Sequence, residues 1–373
     1  MKFYQVTSEV GGEDIWLRRI SSLYREEPKL IWPRGKPSSI DAKTPFNRLI
    51  LYFFNIMDKI VPGVGRGLFL NIFISLFKFE EKDIVFLSST YIPIPRGKRI
   101  ITYIHTPSRA LTVDYESTEK NLSKKANFLK FILKVFRFIY KAVYKFSLNN
   151  ATLLLVNSSN IQKRVENFSG KTALVCYPSQ DTSSFYTKDS ENYFLLVSKI
   201  QPYKGHDFCI KAFKLFCDQN PNFKLFIVSM VPKNPEDIDF YNKLKSYADK
   251  FNLPVEFRFD LSRKEVIELY SKAYLCLFGS KDEDLGQVPI EAMAASKPVV
   301  SINGSGPSET LVNGVTGFLV STEIEMAEKM LLLASDSELA QKMGKNGRER
   351  AVSHFDDVVF KENLDTLIDR FLV

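Results

Sequence analysis

Cysteine and histidine are scarce in this chain, and neither is arranged for a metal. The four cysteines, Cys176, Cys209, Cys217 and Cys276, form no C-x-x-C pair, and none of the three histidines stands at ligand spacing from a cysteine pair. A zinc site is not expected, and the thiols read as small buried apolar residues of a reducing compartment. Long apolar runs are lacking too. A membrane-spanning helix needs about 18 or more consecutive apolar residues. The richest stretch here, 68–79, is broken by Asn71, Ser75 and Lys78. Met1-Lys2-Phe3 passes straight into strand-like sequence, with no signal-peptide pattern. The expected location is cytoplasmic, with peripheral attachment to the inner face of a membrane left open. No internal repeat or low-complexity segment is visible.

Acidic residues are in the minority. Lys and Arg number 51 against 43 Asp and Glu, a net charge of +8. Such a balance admits nucleic acid, acidic lipid or phosphorylated small molecules as partners. The excess is local, however. Between 121 and 150 stand Lys124, Lys125, Lys130, Lys134, Arg137, Lys141 and Lys145 with no acid. A spread-out nucleic-acid footprint is therefore not expected. On a helix, at about 100° per residue, the last five of these cations fall within an arc of about 80°. Phe128, Phe131, Ile132, Val135, Phe136, Ile139, Val143 and Phe146 make the rest of that helix apolar. Two readings stay open: a core helix wetted along one edge, or a surface over 121–147 that lies against anionic lipid headgroups.

A chain of 373 residues with 45% apolar content has material for two cores. The second half shows the clearer pattern. Strand-like runs at 193–197, 223–228, 255–259, 274–278, 298–302 and 317–320 alternate with helical periods at 206–217, 237–250, 263–273 and 286–295. The first half repeats the pattern less cleanly, with strands at 2–7, 83–87, 99–104, 152–156 and 173–176, the first followed by Gly11-Gly12 and an amphipathic helix through Leu23. Strand–helix alternation with short connections predicts an α/β protein with parallel sheets covered on both faces. The expected division is 1–188, 189–355 and a C-terminal helix, 356–373, packing back on the first domain. Ligands of such sheets bind beyond the carboxyl ends of the strands, so a cleft between two facing sheets is the expected site.

Two constellations carry chemistry. Glu283-Asp284-Leu285-Gly286-Gln287-Val288-Pro289-Ile290-Glu291 sets two acids eight positions apart across a strand-to-helix turn. The backbone amides of Leu285, Gly286 and Gln287 fall at the helix start, where free N–H groups and the helix dipole favour an anion. The same acids also suit a plain helix N-terminus. Ser198-Lys199-Ile200-Gln201-Pro202-Tyr203-Lys204-Gly205-His206 leaves a strand and opens a helix. Its two lysines could neutralise a diphosphate, or could be solvated loop residues.

The stretch 283–294, with Lys297-Pro298-Val299-Val300, Gly304-Ser305-Gly306-Pro307-Ser308-Glu309 and Gly314-Val315-Thr316-Gly317-Phe318-Leu319-Val320, resembles the retaining glycosyltransferases of family 4. Glu283 and Glu291 match that family's E-x7-E signature, and 198–205 is similar to its second donor motif. Gly11-Gly12 resembles its glycine loop. Tyr103-Ile104-His105-Thr106-Pro107-Ser108-Arg109 resembles the histidine segment of its mannosyltransferase members. Asn157-Ser158-Ser159 and Tyr177-Pro178 resemble segments that precede its interdomain linker. The likeness covers most of 1–355 and is thin between about 25 and 95.

The resemblance implies the GT-B fold, two doubly wound Rossmann-like domains facing across a cleft. It implies transfer of a hexose, with mannose from GDP-mannose as the favoured donor, to a glycan or lipid-linked acceptor with retention of configuration. No cofactor or metal is implied; the nucleoside diphosphate sugar is the donor substrate. By the same resemblance Glu283 contacts the donor sugar and Glu291 the ribose diol. Lys199 and Lys204 hold the diphosphate and stabilise the leaving group. Leu285, Gly286 and Gln287 offer backbone amides, and Gly12, beside Gly11, lets its loop approach the diphosphate. His105 sits near the transferred sugar, and Arg109 and Asp114 are the acceptor-side candidates. A sugar-nucleotide epimerase of the same architecture and a non-catalytic nucleotide-sugar binding module are the alternatives.

Several residues depart from the family pattern. Lys199 stands where Arg is usual, so charge is kept but bidentate contact is lost. Phe278-Gly279-Ser280 replaces a Pro-Ser pair, Asp284-Leu285 replaces Gly-Phe or Pro-Phe, and Ser229-Met230-Val231-Pro232 lacks the expected glycines. Asp282-Glu283-Asp284 imitates a D-x-D metal motif but falls inside the E-x7-E match. Gly63-Val64-Gly65-Arg66-Gly67 has no strand before it and reads as a connection. His206 and His354 read as surface or capping residues.

Overall fold

The computed structural model describes residues 1–5, 12–26, 29–30, 84–88, 99–106, 138, 141–142, 144–281 and 283–372. The chain divides into two compact units, residues 1–178 with 361–373, and residues 179–360.

In the first unit the described strands are β1 (Lys2–Gln5), β2 (Lys29–Leu30), β3 (Val85–Ser88), β4 (Ile100–Ile104), β5 (Leu153–Val156) and β6 (Leu174–Val175). They lie in the order β2-β1-β3-β4-β5-β6, and every neighbouring pair is parallel. Strands β4 and β5 are buried along their whole length. That follows from their apolar and β-branched residues, since a parallel sheet is covered on both faces. Helix α1 (Gly12–Leu23) follows β1 and buries Trp16, Leu17 and Ile20, one helical face. Helix α2 (Ser159–Ser169) is capped by Ser158, whose hydroxyl accepts from the Ile161 amide, and ends at Gly170 with φ 76°. Tyr24 donates its hydroxyl proton to Asp365 Oδ1 at 2.6 Å, tying the chain's last helix to this unit.

The second unit holds β7 (Tyr193–Val197), α3 (His206–Cys217), β8 (Lys224–Ser229), α4 (Pro235–Lys250), β9 (Val255–Phe259), α5 (Arg263–Lys272), β10 (Leu275–Phe278), α6 (Gln287–Ala294), β11 (Val299–Ile302), α7 (Pro307–Thr310), β12 (Gly317–Val320), α8 (Glu323–Ser335) and α9 (Ser337–Phe355); α10 (Asp357–Leu372) leaves it. Its sheet runs β12-β11-β10-β7-β8-β9, all parallel. Read from its own first strand, that is the 3-2-1-4-5-6 order, in which the direction of winding reverses between β7 and β10. The core is aromatic. Phe194 of β7 lies 4.8 Å from Phe216 and 4.9 Å from Phe223, ring centre to ring centre. At the β9 edge, Glu256 and Arg258 alternate with half-buried neighbours and bond to each other at 2.8 Å, which marks a strand with a solvated face.

Candidate active site

The switch point between β7 and β10 brings two loops together at the carboxyl ends of the strands, where doubly wound sheets bind ligands. The loop after β7 is fastened at Ile200, whose amide donates to Ser229 Oγ at the end of β8 (3.0 Å). It then makes one 3-10 turn, Pro202–Lys204, and enters α3 through Gly205, whose φ of 69° is left-handed. The loop after β10 begins at Gly279. A Cβ on Gly205 would lie 2.0 Å from the Gly279 carbonyl oxygen, and a Cβ on Gly279 would lie 2.3 Å from that of Gly205. Real Cβ atoms do not tolerate such distances, so both positions are restricted to glycine. This gives Gly279, a departure from the family pattern, a physical reason: it admits the neighbouring loop.

That approach sets Lys204 beside Glu283. The lysine Nζ donates to Glu283 Oε2 at 2.8 Å, and Ser280 Oγ donates to the same oxygen at 2.9 Å. The lysine and glutamate side chains are 21% and 27% exposed, so the pair is only partly open to solvent. Beyond Glu283 the chain turns at Gly286, with φ 88°, and starts α6 at Gln287 without a side-chain cap. Leu285 is buried and Gln287 exposed. Helix α6 carries Glu291 on its second turn. That carboxylate is held at both oxygens: Arg263 Nη1 donates to Oε1 at 2.7 Å, and the Tyr270 hydroxyl donates to Oε2 at 3.1 Å. Burial, with Glu291 alongside, raises the Tyr270 pKa well above the ordinary phenol range, so its hydroxyl stays a donor.

In the first unit Gly12 opens α1 after β1, and His105 stands at the carboxyl end of β4. His105 is buried among rings, edge-on to Trp16 at 4.5 Å and 4.8 Å from Tyr103. Desolvation lowers its pKa to about 3, and its buried Nε2 has no hydrogen-bond partner among the described residues. The imidazole is therefore neutral at physiological pH. Gly11, Arg109, Asp114, Lys130, Lys134, Arg137 and the Gly63–Gly67 segment lie outside the described residues, as does Asp282.

Sequence reasoning missed four residues here: Ser229, Arg263, Tyr270 and Ser280. Ser280, three positions before Glu283, was within reach of a local reading. The others come from different strands or helices and carry no spacing signal. One expectation is corrected: His206 is fully buried, and burial lowers its pKa to about 4. It is the first residue of α3, and its ring lies edge-on to Phe240 at 6.3 Å. His354 is exposed, as expected. Lys199 is exposed, and it is Lys204 that reaches Glu283.

A cavity of about 830 Å³ in this unit lies elsewhere, lined by Ser190, Tyr274, Lys297, Pro298, Lys345 and Arg348 among others. Tyr274 and Pro298 immediately precede β10 and β11, so it opens at the amino ends of the strands, opposite the acid pair. Among the described residues no cluster of three or more His, Cys, Asp or Glu side chains could hold a metal ion. No helix among them is long and apolar enough to cross a membrane.

At this switch point stand a lysine, two carboxylates and a helix start without a side-chain cap. Residues 178–350 match the profile described as glycosyl transferases group 1. The chain is 22% identical over 388 residues to an alpha-1,3/1,6-mannosyltransferase of Dictyostelium discoideum, covering 93% of this chain and 89% of that protein. It is 26% identical over 295 residues to a mouse GDP-Man:Man(3)GlcNAc(2)-PP-Dol alpha-1,2-mannosyltransferase, covering 71% of this chain and 59% of the relative. Among solved structures, Anabaena HepE in complex with UDP superposes with a TM-score of 0.69 at 16% identity, over 99% of this chain and all of that one. Residues 178–350 form a group 1 glycosyltransferase domain, and the protein is a glycosyltransferase of the GT-B fold.

Proposed function

We propose that the protein transfers mannose from GDP-mannose to a lipid-linked glycan, with retention at the anomeric carbon and without a metal ion. The observation that carries this reading is the Lys204–Glu283 pair at the switch point, with the uncapped start of α6 beside it. Departure of a nucleoside diphosphate builds negative charge on the β-phosphate. A lysine and helix-start amides can stabilise that charge without a cation. Lys204 and Lys199 are assigned to the diphosphate, Glu283 to the sugar hydroxyls and Glu291 to the ribose. Leu285, Gly286 and Gln287 donate their amides, Gly11 and Gly12 form a close-approach loop, and His105 acts on the sugar as a neutral hydrogen-bonding group. In the transfer, the bond from the anomeric carbon to the phosphate oxygen breaks and the acceptor hydroxyl adds on the same face. Its proton passes to the departing phosphate. Arg109 and Asp114 are assigned to the acceptor.

The donor and acceptor classes rest on similarity to relatives whose names specify mannosyl transfer, GDP-mannose and a dolichyl diphosphate carrier. A membrane surface is assigned to 121–147, with the protein peripheral on a cytoplasmic leaflet. Of that stretch the described residues include Phe138, 75% exposed, and Phe146, 55% exposed, with Lys141 and Lys145 also exposed. On a helix these four project within an arc of about 140°.

The test is a transfer assay with GDP-mannose, UDP-glucose and UDP-N-acetylglucosamine, with and without an isoprenoid-diphosphate-linked oligosaccharide, in excess chelator. Chelator-resistant, acceptor-dependent use of GDP-mannose, giving an α-linked product, is expected. Exclusive use of a UDP-sugar would overturn the donor, a β-linked product would overturn retention, and turnover without acceptor would point to an epimerase.

A further inference from the structure

Glu291 is proposed above to bind the ribose, and the structure adds what holds it in position. The carboxylate is 13% exposed, while Arg263, its partner, is 48% exposed. Arg263 is the first residue of α5, a place where the helix dipole disfavours a cation. The local geometry of that helix does not need it there, since Ser262 and Glu265 already form a complete capping box. What Arg263 does is reach across to α6. Its guanidinium lies over the Phe185 ring, 5.0 Å from the centroid. Phe185 in turn packs edge-on against Tyr270 at 5.9 Å. Phe185 is buried and so is Tyr270, so the two donors to Glu291 stand on one packed aromatic base.

A carboxylate has about four acceptor positions, two on each oxygen. Arg263 occupies one on Oε1 and Tyr270 one on Oε2. One acceptor position on each oxygen remains, which matches two neighbouring hydroxyls. Without the two donors, the carboxylate could rotate about its terminal torsion, which is broad in glutamate. We propose that Arg263 and Tyr270 are positioning residues that orient Glu291 to accept both the 2′- and 3′-hydroxyls of the donor ribose, and so set the preference for a ribonucleotide. This rests on the assignment of Glu291 to the ribose.

The experiment is calorimetric binding of GDP, 2′-deoxy-GDP and 3′-deoxy-GDP, with the matching uridine set in parallel. The proteins are the full chain and its Glu291→Ala, Arg263→Ala, Arg263→Lys and Tyr270→Phe variants. The full chain should prefer the ribonucleotide over each deoxy form by on the order of tenfold or more. Arg263→Ala and Tyr270→Phe should lose most of that preference by weakening the ribonucleotide while leaving the deoxy forms little changed. Arg263→Lys should recover part of it. A purely structural role would weaken all three nucleotides together and leave the ratio intact, which overturns the proposal. The reading beneath it fails separately. If the full chain shows no preference, or Glu291→Ala keeps it, Glu291 does not bind the ribose. If Glu291→Ala abolishes the preference while Arg263→Ala and Tyr270→Phe retain it, the ribose assignment stands and the positioning role is wrong.

Discussion

Lys204 Nζ and Glu283 Oε2 lie 2.8 Å apart although 79 positions separate them in the chain. The pairing exists because β7 and β10 are neighbours in the sheet, with Leu275 opposite Phe194 and Cys276 opposite Leu195. The loops that leave these two strands must then meet.

Lys204→Ala should reduce turnover by about 10²–10³-fold, the range found when one donor to a developing negative charge is removed. Affinity for the bare nucleoside diphosphate should fall much less, because the charge on the leaving phosphate grows toward the transition state. Steady-state kinetics beside calorimetry decides this. Equal losses in kcat and in affinity would mean that the lysine binds substrate and transition state alike.

Gly205→Ala places a Cβ where 2.0 Å separates it from the Gly279 carbonyl oxygen, and does so at a left-handed φ. The loss of stability should exceed about 2 kcal/mol, and nucleotide binding should suffer with it. Gly314→Ala is the control. It shares a positive φ, 77°, but a Cβ there meets nothing within 4 Å, so only about 1 kcal/mol of backbone strain applies. Urea unfolding of the two variants should separate overlap from strain, and similar values for both would remove the close loop contact as an explanation.

Acidification should destabilise the fold before ordinary carboxylates titrate. His105 and His206 have pKa values of about 3 and about 4 when folded, against 6.5 as the ordinary value. Between those limits the unfolded chain takes up protons that the folded chain refuses, so stability is complete above pH 6.5 and declines as pH falls. Each histidine should cost roughly 1.5 kcal/mol between pH 6.5 and 5. Denaturation at several pH values should reveal that slope, and His105→Asn with His206→Asn should flatten it. A wild-type slope that persists in the double variant would assign it to other groups.

The protein should sediment with anionic vesicles at low salt and release at high salt. Each cation near such a surface contributes about 1 kcal/mol, screened as the Debye length shortens. Lys141→Glu with Lys145→Glu should abolish binding, and Phe138→Ser should weaken it at low salt, because Phe138 is exposed and apolar. Transfer to a soluble acceptor should be unaffected in both. Wild-type protein that ignores anionic vesicles at low salt would leave this segment as the wet edge of a core helix.

The class of fold and the acid pair were legible from local pattern. The strand at 193–197 and the helix at 206–217 are where apolar runs and helical periods put them. The spacing of Glu283 and Glu291 already implied a strand-to-helix turn between them. The burial of His206 is not legible in the sequence. Its position behind a loop lysine looks solvated, whereas in the fold its ring packs against Phe240 of the following helix.

The sequence alone located the strands and helices of the second unit from 193 to 302 and most strands of the first, though not the short strand 29–30 or the helix 159–169, because burial periodicity and glycine turns act over a few residues. It also determined which acids and lysines stand in strand-exit loops. Tertiary structure decided which of them meet. The spatial order β12-β11-β10-β7-β8-β9 puts the loops after β7 and β10 side by side, which no local pattern specifies. It also decided that Arg263 and Tyr270 converge on Glu291 from a different helix. Side-chain partners separated by tens of residues follow from strand pairing and helix packing, and those are settled only when the whole core is buried at once.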